Sequence, residues 1–384
     1  MDYRSTLKQD TKNQDRGNKT NMEFIIQSAL EHANNTVDQD LEIGHANIKV
    51  FGAGGGGCNA ASWLYKKGVK GAEIICLNTD KQHLDMMGAD KKILIGRDLT
   101  RGLGAGGYAN VGMEAAKEQL AEIKESLKGA DMVFVCAGMG GGTGTGAAPV
   151  VAQAAKDQGA IVIGAVTTPF TIERARVDKA EFGLQQLRSV SDTVIVIDNN
   201  RLVQIAGNLP VQQAFAVANE LISTMIKGIV EIIAVPSLVN LDYADVKAIM
   251  TNGGVSVVGV GEGDSERRVE EATKRALTNP LLDVSYKGAT GALIHVTGGH
   301  DMTLDEVNRV GEVVTESLDA DANCIWGARV EEAMKGKIRV MTIITGVQSP
   351  FVLGKSLQGT QNFEKSKTMS RELGIDMVHG KYGR

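Results

Sequence analysis

Short apolar runs alternate with segments of helical periodicity along the first half of the chain. Buried strands are predicted at Ile48–Phe51, Glu73–Leu77, Asp131–Cys136, Ile161–Val166 and Thr193–Ile197. Helices are predicted between them, at Ala60–Lys67, Gly112–Leu127, Ala147–Lys156 and Asp178–Leu187. This alternation predicts a doubly wound α/β domain around a mostly parallel sheet.

A long segment after Pro210 is apolar nearly all round until Pro236. Proline is favoured in the first turn of a helix, and a helix without a polar face is buried on most sides, as one lying between two domains would be. Beyond it, strands are predicted at Val255–Val260, Leu293–Thr297, Asn323–Ala328 and Ile338–Thr345, with helices at Glu266–Leu277 and Leu304–Leu318. These elements predict a second, smaller α/β domain.

The pattern divides the chain into five parts. An N-terminal arm with a short helix covers residues 1–47, and the first α/β domain covers residues 48–209. The long central helix covers residues 210–236, the second domain residues 237–346, and a polar tail residues 347–384.

The composition is that of an ordinary globular protein. Of 384 residues, 43% are hydrophobic and 23% are charged, and the formal net charge is -5. This balance excludes wholesale disorder and lacks the broad basic surface of a nucleic-acid-binding protein. The apolar stretches are shorter than the ~18–20 residues of a membrane span, and the polar N-terminal arm contains no signal-peptide core. We therefore expect a cytoplasmic protein with no nucleic-acid partner, which contacts membranes only indirectly.

The four cysteines are Cys58, Cys76, Cys136 and Cys324, and they form no CxxC pair. Two of them lie inside apolar runs. Reduced thiols are therefore expected rather than a metal site or disulfides.

Glycine is the unusual component, because the chain has 46 glycines against a usual share of ~7%. Gly52, Gly54 and Gly57 have the GxGxxG spacing between a predicted strand and a predicted helix, and Asp80 ends the next strand. This is nearly the dinucleotide-binding fingerprint, in which glycines let the backbone approach phosphates and an acid binds the ribose. A tight strand-to-helix turn without a ligand is the alternative.

Two further glycine loops favour a nucleoside triphosphate over a dinucleotide. Gly140–Gly146 carries five glycines and two threonines after another buried strand, and Gly102–Gly107 supplies the third loop. Backbone N–H groups at a helix N-terminus form a cradle for anions, and three such loops at one sheet edge suit a chain of phosphates. The sequence has no GxxxxGK[ST] motif, so this is not a P-loop. Backbone amides, helix dipoles and Mg²⁺ would compensate the negative charge of the phosphates.

The motif GGGTGTG at Gly140–Gly146 resembles the signature of the tubulin/FtsZ family. Further segments agree with it, at Gly54–Asn59, Asn78–Asp80, Thr100–Gly106 and Asn240–Val246. The similarity runs from about Ile48 to Gly346 and is closer to FtsZ, the tubulin-like cell-division GTPase of bacteria and archaea, than to tubulin. The resemblance implies a tubulin-like fold, GTP hydrolysis, and head-to-tail assembly of the chain with itself into protofilaments at the mid-cell division site.

The resemblance also implies which residues bind GTP or GDP. The expected contacts are Gly55, Gly56, Gly57, Cys58 and Asn59 for the α/β-phosphates and nucleoside, Gly142, Thr143 and Gly144 for the phosphates, Ala105, Gly106 and Gly107 for the γ-phosphate, Glu173 for the ribose, and Asn199, Asn219 and Phe215 for guanine. Mg²⁺ is the expected cation, and K⁺ is a further candidate. For Phe215, packing in the core is the alternative.

Two positions depart from the bacterial pattern of this family. The arginine that contacts the nucleotide there falls on Val177, so Arg174 or Arg176 would have to replace it. The acid on the guanine side is Asn219 in this chain. An amide both donates and accepts hydrogen bonds, so Asn219 is still compatible with guanine.

Asp242 and Asp245 lie three residues apart at the start of a predicted helix and so share one face. Such a pair is also typical of a solvated helix N-terminus. With the nucleotide at the carboxyl ends of the strands and beside the start of the long helix, which is about 36 Å long, these carboxylates lie at the opposite pole of the subunit. The pair could therefore reach only the nucleotide of the next subunit in a head-to-tail stack, to polarise water or hold a cation. The resemblance assigns the same catalytic role to these two residues.

Two other classes of protein stay open at this point. A tubulin-like filament protein for cell shape or plasmid positioning would carry the same motifs. A Rossmann-type NAD-dependent enzyme would need one phosphate loop and an acid–base pocket, and the second glycine loop argues against it.

The C-terminal tail is predicted to connect the second domain to a docking segment. Residues 348–371 are rich in Ser, Gln, Lys and Gly, which is typical of a linker. Leu373–Val378 then gathers four apolar residues ahead of Lys381 and Arg384. By the resemblance, this tail would bind adaptor proteins of the division ring. Packing on the second domain, or disorder, is the alternative.

Deleting residues 373–384 and keeping the linker should leave GTP hydrolysis and filament formation intact and abolish localisation to the division site. The reason is that the deleted segment is expected to contact an adaptor and not the body of the protein. GTPase assays in vitro and a fluorescent fusion in cells check both parts. A truncated chain that cannot fold or polymerise would make the segment structural instead.

Overall fold

The computed structural model describes residues 46–347, apart from residues 236, 252, 279–285, 287 and 320 and the side chains of residues 204 and 205. The predicted N-terminal arm with its short helix and the predicted C-terminal tail lie outside the described residues, except for residues 46, 47 and 347.

Ten strands of the described chain form one sheet. In chain order they are β1 (Ile48–Ala53), β2 (Ala72–Asn78), β3 (Lys91–Leu94), β4 (Met132–Gly138), β5 (Ile161–Thr168), β6 (Thr193–Asp198), β7 (Gly254–Gly263), β8 (Gly291–Gly298), β9 (Asn323–Val330) and β10 (Ile338–Thr345). Their order across the sheet is β3-β2-β1-β4-β5-β6-β7-β10-β8-β9. The first six in this order are parallel, and their arrangement is that of a doubly wound nucleotide-binding domain.

Twelve α-helices lie within the described residues. They are α1 (Gly54–Lys66), α2 (Lys81–Met86), α3 (Arg97–Thr100), α4 (Ala109–Glu118), α5 (Leu120–Leu127), α6 (Thr143–Asp157), α7 (Ala175–Val190), α8 (Asn199–Ala206), α9 (Val211–Ala234), α10 (Tyr243–Met250), α11 (Arg268–Leu277) and α12 (Leu304–Thr315). Among them, none is both long and apolar enough to cross a membrane.

The central parallel strands β1, β4, β5 and β6 are buried on both faces, as their continuous apolar runs predict. On one face, Val50 and Phe134 pack in a core with α1 and α9. On the other face, Phe51 and Val135 pack in a second core with α4, α5, α6 and α7. The predicted α/β architecture is therefore confirmed.

The two predicted α/β domains share the sheet. β6 pairs with β7 through two residue pairs, Thr193 with Gly254 and Val194 with Val255. β10 runs antiparallel to both β7 and β8, whereas β9 is parallel to β8.

α9 is buried or half-buried from Leu221 to Ala234, as predicted, whereas Val211, Phe215 and Glu220 in its first half are exposed. Its apolar side chains belong to one core with residues of both halves. The sheet and the core both continue from one predicted domain into the other. The domain boundaries at residues 209 and 236 therefore stay predictions.

Two of the three glycine segments enter a helix earlier than predicted, whereas Gly102–Gly107 is a loop as predicted. α1 begins at Gly54 rather than at Ala60, and α6 begins at Thr143 rather than at Ala147. Glycine has a poor intrinsic helix propensity, so nothing local indicates these starts, and tertiary contact decides them. Pro149 consequently stands inside α6 instead of in its first turn.

Three smaller differences concern segments with weak local signals. Pro210 is the N-cap residue of α9 and not part of its first turn. The predicted helix at 112–127 is two helices that meet at Gln119, whose side chain accepts a hydrogen bond from the Gly96 backbone. The short elements β3, α2, α3 and α8 were not predicted.

α1 approaches β4 as closely as backbone atoms allow. A Cβ atom added at Gly57 would lie 2.1 Å from the Cys136 carbonyl oxygen, and one added at Gly52 would lie 2.6 Å from the Gly57 carbonyl oxygen. These contacts place the first turn of α1 at the carboxyl ends of β1 and β4.

Gly57→Ala should lower the free energy of unfolding by about 1–3 kcal/mol, because the added methyl group overlaps backbone atoms of β4. Gly55→Ala is the matched control in the same turn, where the nearest atoms to an added Cβ are those of the His83 ring at 4.0 Å. Its stability should be unchanged or higher by up to about 1 kcal/mol. Urea unfolding followed by circular dichroism measures both variants. Equal stabilities would show that α1 moves away from β4 without cost.

Candidate functional site

The N-termini of α1 and α6 meet at the carboxyl ends of β1 and β4. A Cβ atom added at Gly54 would lie 2.6 Å from the Gly144 backbone nitrogen, so the two first turns are in backbone contact. The N-cap residues Ala53 and Gly142 provide no side-chain cap, and neither first turn contains an acidic residue. Helix N-termini carry unpaired N–H groups and a partial positive charge. Two uncapped N-termini in contact form a site for an anion.

The third glycine segment packs over these two turns. A Cβ atom added at Gly142 would lie 2.8 Å from the Ala105 Cβ and 3.1 Å from the Gly107 nitrogen. Gly106 and Gly107 have φ angles of 58° and 77°, in the left-handed region that favours glycine. The three glycine segments predicted from the sequence therefore lie together at one edge of the sheet.

A cavity of about 680 Å³ opens at this edge, where the strand order reverses between β1 and β4. This is the position at which doubly wound sheets bind ligands. Ten of the predicted contact residues line it, namely Gly55, Gly56, Asn59, Gly142, Thr143, Gly144, Glu173, Asn199, Phe215 and Asn219.

Six predicted contacts are not among the lining residues, namely Gly57, Cys58, Asp80, Ala105, Gly106 and Gly107. The buried Cys58 thiol donates to the Gly52 carbonyl at 3.2 Å, and burial together with the neighbouring Cys76 thiol raises the pKa of Cys58 well above its ordinary value. The Asp80 carboxylate caps α2 by accepting from the His83 N–H at 3.1 Å. A contribution of these six residues to ligand binding stays a prediction.

Aromatic and amide side chains line the end of the cavity away from the glycines. Phe215 is 43% exposed, and it packs edge to face with Phe170, with 5.9 Å between ring centroids. Asn199 is buried, and its Oδ1 atom has no hydrogen-bond partner. A buried acceptor without a partner costs free energy, so a ligand N–H group at this end would complete the site.

The two arginines that the sequence left open differ in their position at the rim of the cavity. Glu173 accepts from the Phe170 N–H at 2.9 Å and pairs with the Arg176 guanidinium at 2.7 Å. Arg176 lines the cavity, and Arg174 does not. Arg176 is therefore the candidate to replace the arginine whose position Val177 takes.

Trp63 and Lys66 also line the cavity and were not predicted. They lie four and seven residues after Asn59, on the same face of α1. This spacing would have predicted them as cavity residues if the start of α1 had been known. The Trp63 indole donates to Glu220 of α9 at 2.7 Å, and Lys67 pairs with the same carboxylate at 2.5 Å. Partial burial raises the pKa of Glu220, but these hydrogen bonds outweigh it, and the net pKa lies below the ordinary value. These contacts connect α1 to α9.

Asp242 and Asp245 lie away from the cavity, at the start of α10. They form a reciprocal capping box, in which Asp242 accepts from the Asp245 N–H at 2.9 Å and Asp245 accepts from the Asp242 N–H at 3.1 Å. Most of the 24 residues of α9 lie between this pair and the cavity residues Phe215 and Asn219, which are in the first half of α9. At ~1.5 Å per residue, α9 is about 36 Å long.

Two family models match the chain. The GTPase domain of the Tubulin/FtsZ family matches residues 47–207, and the C-terminal domain of the FtsZ family matches residues 254–348. Cell division protein FtsZ 2 of Methanocaldococcus jannaschii is 53% identical over 363 residues, which cover 92% of this chain and 96% of that protein. Cell division protein FtsZ 1 of Archaeoglobus fulgidus is 49% identical over 345 residues, which cover 89% of this chain and 91% of that protein.

Solved structures have the same fold. An empty FtsZ dimer of M. jannaschii matches with a TM-score of 0.73 at 47% identity, covering 83% of this chain and 91% of that chain. The GTPγS-bound protofilament of CetZ2 from Haloferax volcanii matches with a TM-score of 0.71 at 23% identity, covering 84% and 99%, and supports the fold alone. Fold, glycine segments and family models together define a tubulin-like GTPase. Within that class, the chain belongs to the FtsZ family.

Proposed function

We propose that the chain binds GTP in this cavity and polymerises head to tail, and that Asp242 and Asp245 of the neighbouring subunit complete the GTPase site. The observation that carries this proposal is the separation of the cavity from the aspartates along α9, because carboxylates at that distance can reach a nucleotide only on another subunit. The curated relatives are named cell division proteins, which supports a role in the division ring at mid-cell. A filament for cell shape or plasmid positioning is the alternative.

The phosphates would occupy the glycine end of the cavity. Gly55, Gly56 and Gly142–Gly144 would hold them with backbone N–H groups, and Ala105–Gly107 would lie nearest the third phosphate. Among the described lining residues, Glu173 is the one carboxylate, and it is ion-paired. Mg²⁺ prefers phosphate oxygens, water and one or two carboxylates, so it fits this site mainly through the phosphates. K⁺ stays a further candidate.

Guanine would occupy the aromatic end. Its N–H groups are donors, and the buried Asn199 Oδ1 is an acceptor without a partner. Phe215 offers a partly exposed ring for stacking, and Asn219 lines the same end of the cavity. Adenine lacks the ring N–H donor, so this end favours guanine.

Asn199→Leu removes the unpartnered oxygen with little change of volume. The ligand-free protein should be unchanged or more stable by up to about 1 kcal/mol, and GTP affinity should fall about ten- to hundredfold because guanine loses an acceptor. Thermal unfolding without nucleotide and fluorescence titration with GTP measure the two effects. ATP titration is the control, since its affinity should change little. Unchanged GTP affinity would contradict the assignment of Asn199.

The capping box fixes the orientation of the two aspartate side chains, which would act on the nucleotide of a neighbouring subunit. It uses one oxygen of each carboxylate, Oδ1 of Asp242 and Oδ2 of Asp245, and so holds both side chains in place. The second oxygen of each would act on the attacking water at the neighbour's nucleotide. Such a head-to-tail contact is heterologous and continues into a filament unless it closes.

Asp245→Asn keeps a capping side chain and removes the charge. This variant should bind GTP as the wild type does and lose GTPase activity at least about 100-fold. The partner in the test is Gly142→Ala, whose Cβ would lie 3.0 Å from the Tyr108 nitrogen and so distort the phosphate end. In an equal mixture, about a quarter of the sites join an intact cavity to intact aspartates, so about a quarter of the activity should return.

Two results would contradict catalysis by the neighbouring subunit. One is full GTPase activity of the pure Asp245→Asn variant. The other is no recovery in the mixture when light scattering shows that both variants enter filaments.

We also propose that the tail, residues 347–384, binds adaptor proteins of the division ring. Its support is the apolar and basic pattern of the sequence, and the truncation described above tests it.

A further inference from the structure

α7 is in close contact with the second glycine segment at two points. A Cβ atom added at Gly183 would lie 2.3 Å from the Thr145 Cγ2, and one added at Gly140 would lie 2.7 Å from the Arg176 carbonyl oxygen. Close contacts of this kind leave little room for α7 to move relative to the phosphate end of the cavity.

Lys179 connects α7 to the third glycine segment. Its ammonium donates to the Gly107 carbonyl at 2.8 Å and lies 5.5 Å from the centroid of the Tyr108 ring. The Lys179 side chain is half-buried. A hydrogen bond from a charged donor is stronger than one between neutral groups, and the aromatic face adds a favourable interaction with the ammonium.

The peptide group between Gly107 and Tyr108 is held from both sides. Its carbonyl accepts from Lys179, and its N–H donates to the Ala105 carbonyl at 3.0 Å. A peptide group is planar, so two opposed hydrogen bonds fix its orientation. Gly107 has a φ of 77°, which glycine leaves readily for other conformations, so the turn itself does not hold this orientation.

We propose that Lys179 is a positioning residue for the third phosphate of the nucleotide. It holds the turn at Ala105–Gly107 in the conformation that presents backbone N–H groups to the γ-phosphate. Because Lys179 is on α7, the hydrogen bond ties the turn to a helix that has little room to move. This inference rests on the nucleotide site proposed above. GDP has no γ-phosphate for the turn to contact. Lys179 therefore affects the affinity for GTP and leaves the affinity for GDP nearly unchanged.

The experiment compares the affinities of GTPγS and GDP, each with Mg²⁺, for the full-length wild type and its variants. Lys179→Met keeps the aliphatic chain and removes the donor, so GTPγS affinity should fall about tenfold and GDP affinity less than about twofold. Lys179→Arg keeps a charged donor and should restore most of the loss. Lys117→Met is the matched control on α4, where the exposed lysine pairs with Glu114 at 2.9 Å, and it should change neither affinity.

Hydrogen exchange provides a second readout that does not depend on affinity. In the wild type, GTPγS should protect the amides of residues 104–108 more than GDP does, and Lys179→Met should lose this difference. If Lys179→Met does not fold, Lys179→Arg and Lys179→Gln decide, with Arg near wild type and Gln intermediate in GTPγS affinity.

Equal losses of GTPγS and GDP affinity in Lys179→Met would show a merely structural role and overturn the inference, as would unchanged affinities and exchange. Failure of the proposed function has a different result, because the wild type itself would then bind neither GTPγS nor GDP.

Discussion

The backbone contact between the first turns of α1 and α6 is the constraint on which the site depends. It places two positive helix ends side by side, and neither has a capping side chain or an acidic residue to offset the charge. Only glycine allows this approach, because a Cβ at Gly54 would overlap the Gly144 backbone nitrogen, and one at Gly144 would overlap the Gly138 carbonyl oxygen of β4. The glycines of this protein therefore create an anion site and at the same time bring α1 and α6 onto the sheet.

The site combines two uncapped helix N-termini with a buried acceptor that has no protein partner. The helix N–H groups at the glycine end and the Asn199 oxygen at the other end lie on the same cavity. Buried polar groups without partners cost stability, and proteins accept such a cost mainly at functional sites. The two ends match a ligand that is an anion at one end and a hydrogen-bond donor at the other, and a guanine nucleotide has this arrangement.

α9 determines how the site relates to the rest of the chain. Its apolar side chains pack in one core with both halves of the sheet, so it has a fixed position between them. At its start it carries Phe215 and Asn219, and beyond its end the chain continues to the capping box of Asp242 and Asp245. The Glu220 contacts with Trp63 and Lys67 join the same helix to α1. These contacts connect the helix that begins at the glycine end of the cavity to α9.

Much of the fold could be predicted because its signals are local. Strands buried on both faces leave continuous apolar runs, and the glycine segments, the central helix and the aspartate pair are visible as motifs. The sequence by itself determined the α/β class, the resemblance to FtsZ and ten of the residues that line the cavity.

The tertiary structure alone decided the features that depend on contacts between distant segments. The starts of α1 and α6 at Gly54 and Thr143 run against glycine's poor helix propensity and follow from packing on β4 and on each other. The joining of two predicted domains into one sheet rests on two residue pairs between β6 and β7. The choice of Arg176 over Arg174, and the bond from Lys179 to Gly107 across 72 positions of sequence, have no local pattern. Such contacts form only when the chain has folded, because spacing along the sequence does not specify which distant backbone atoms a side chain will meet.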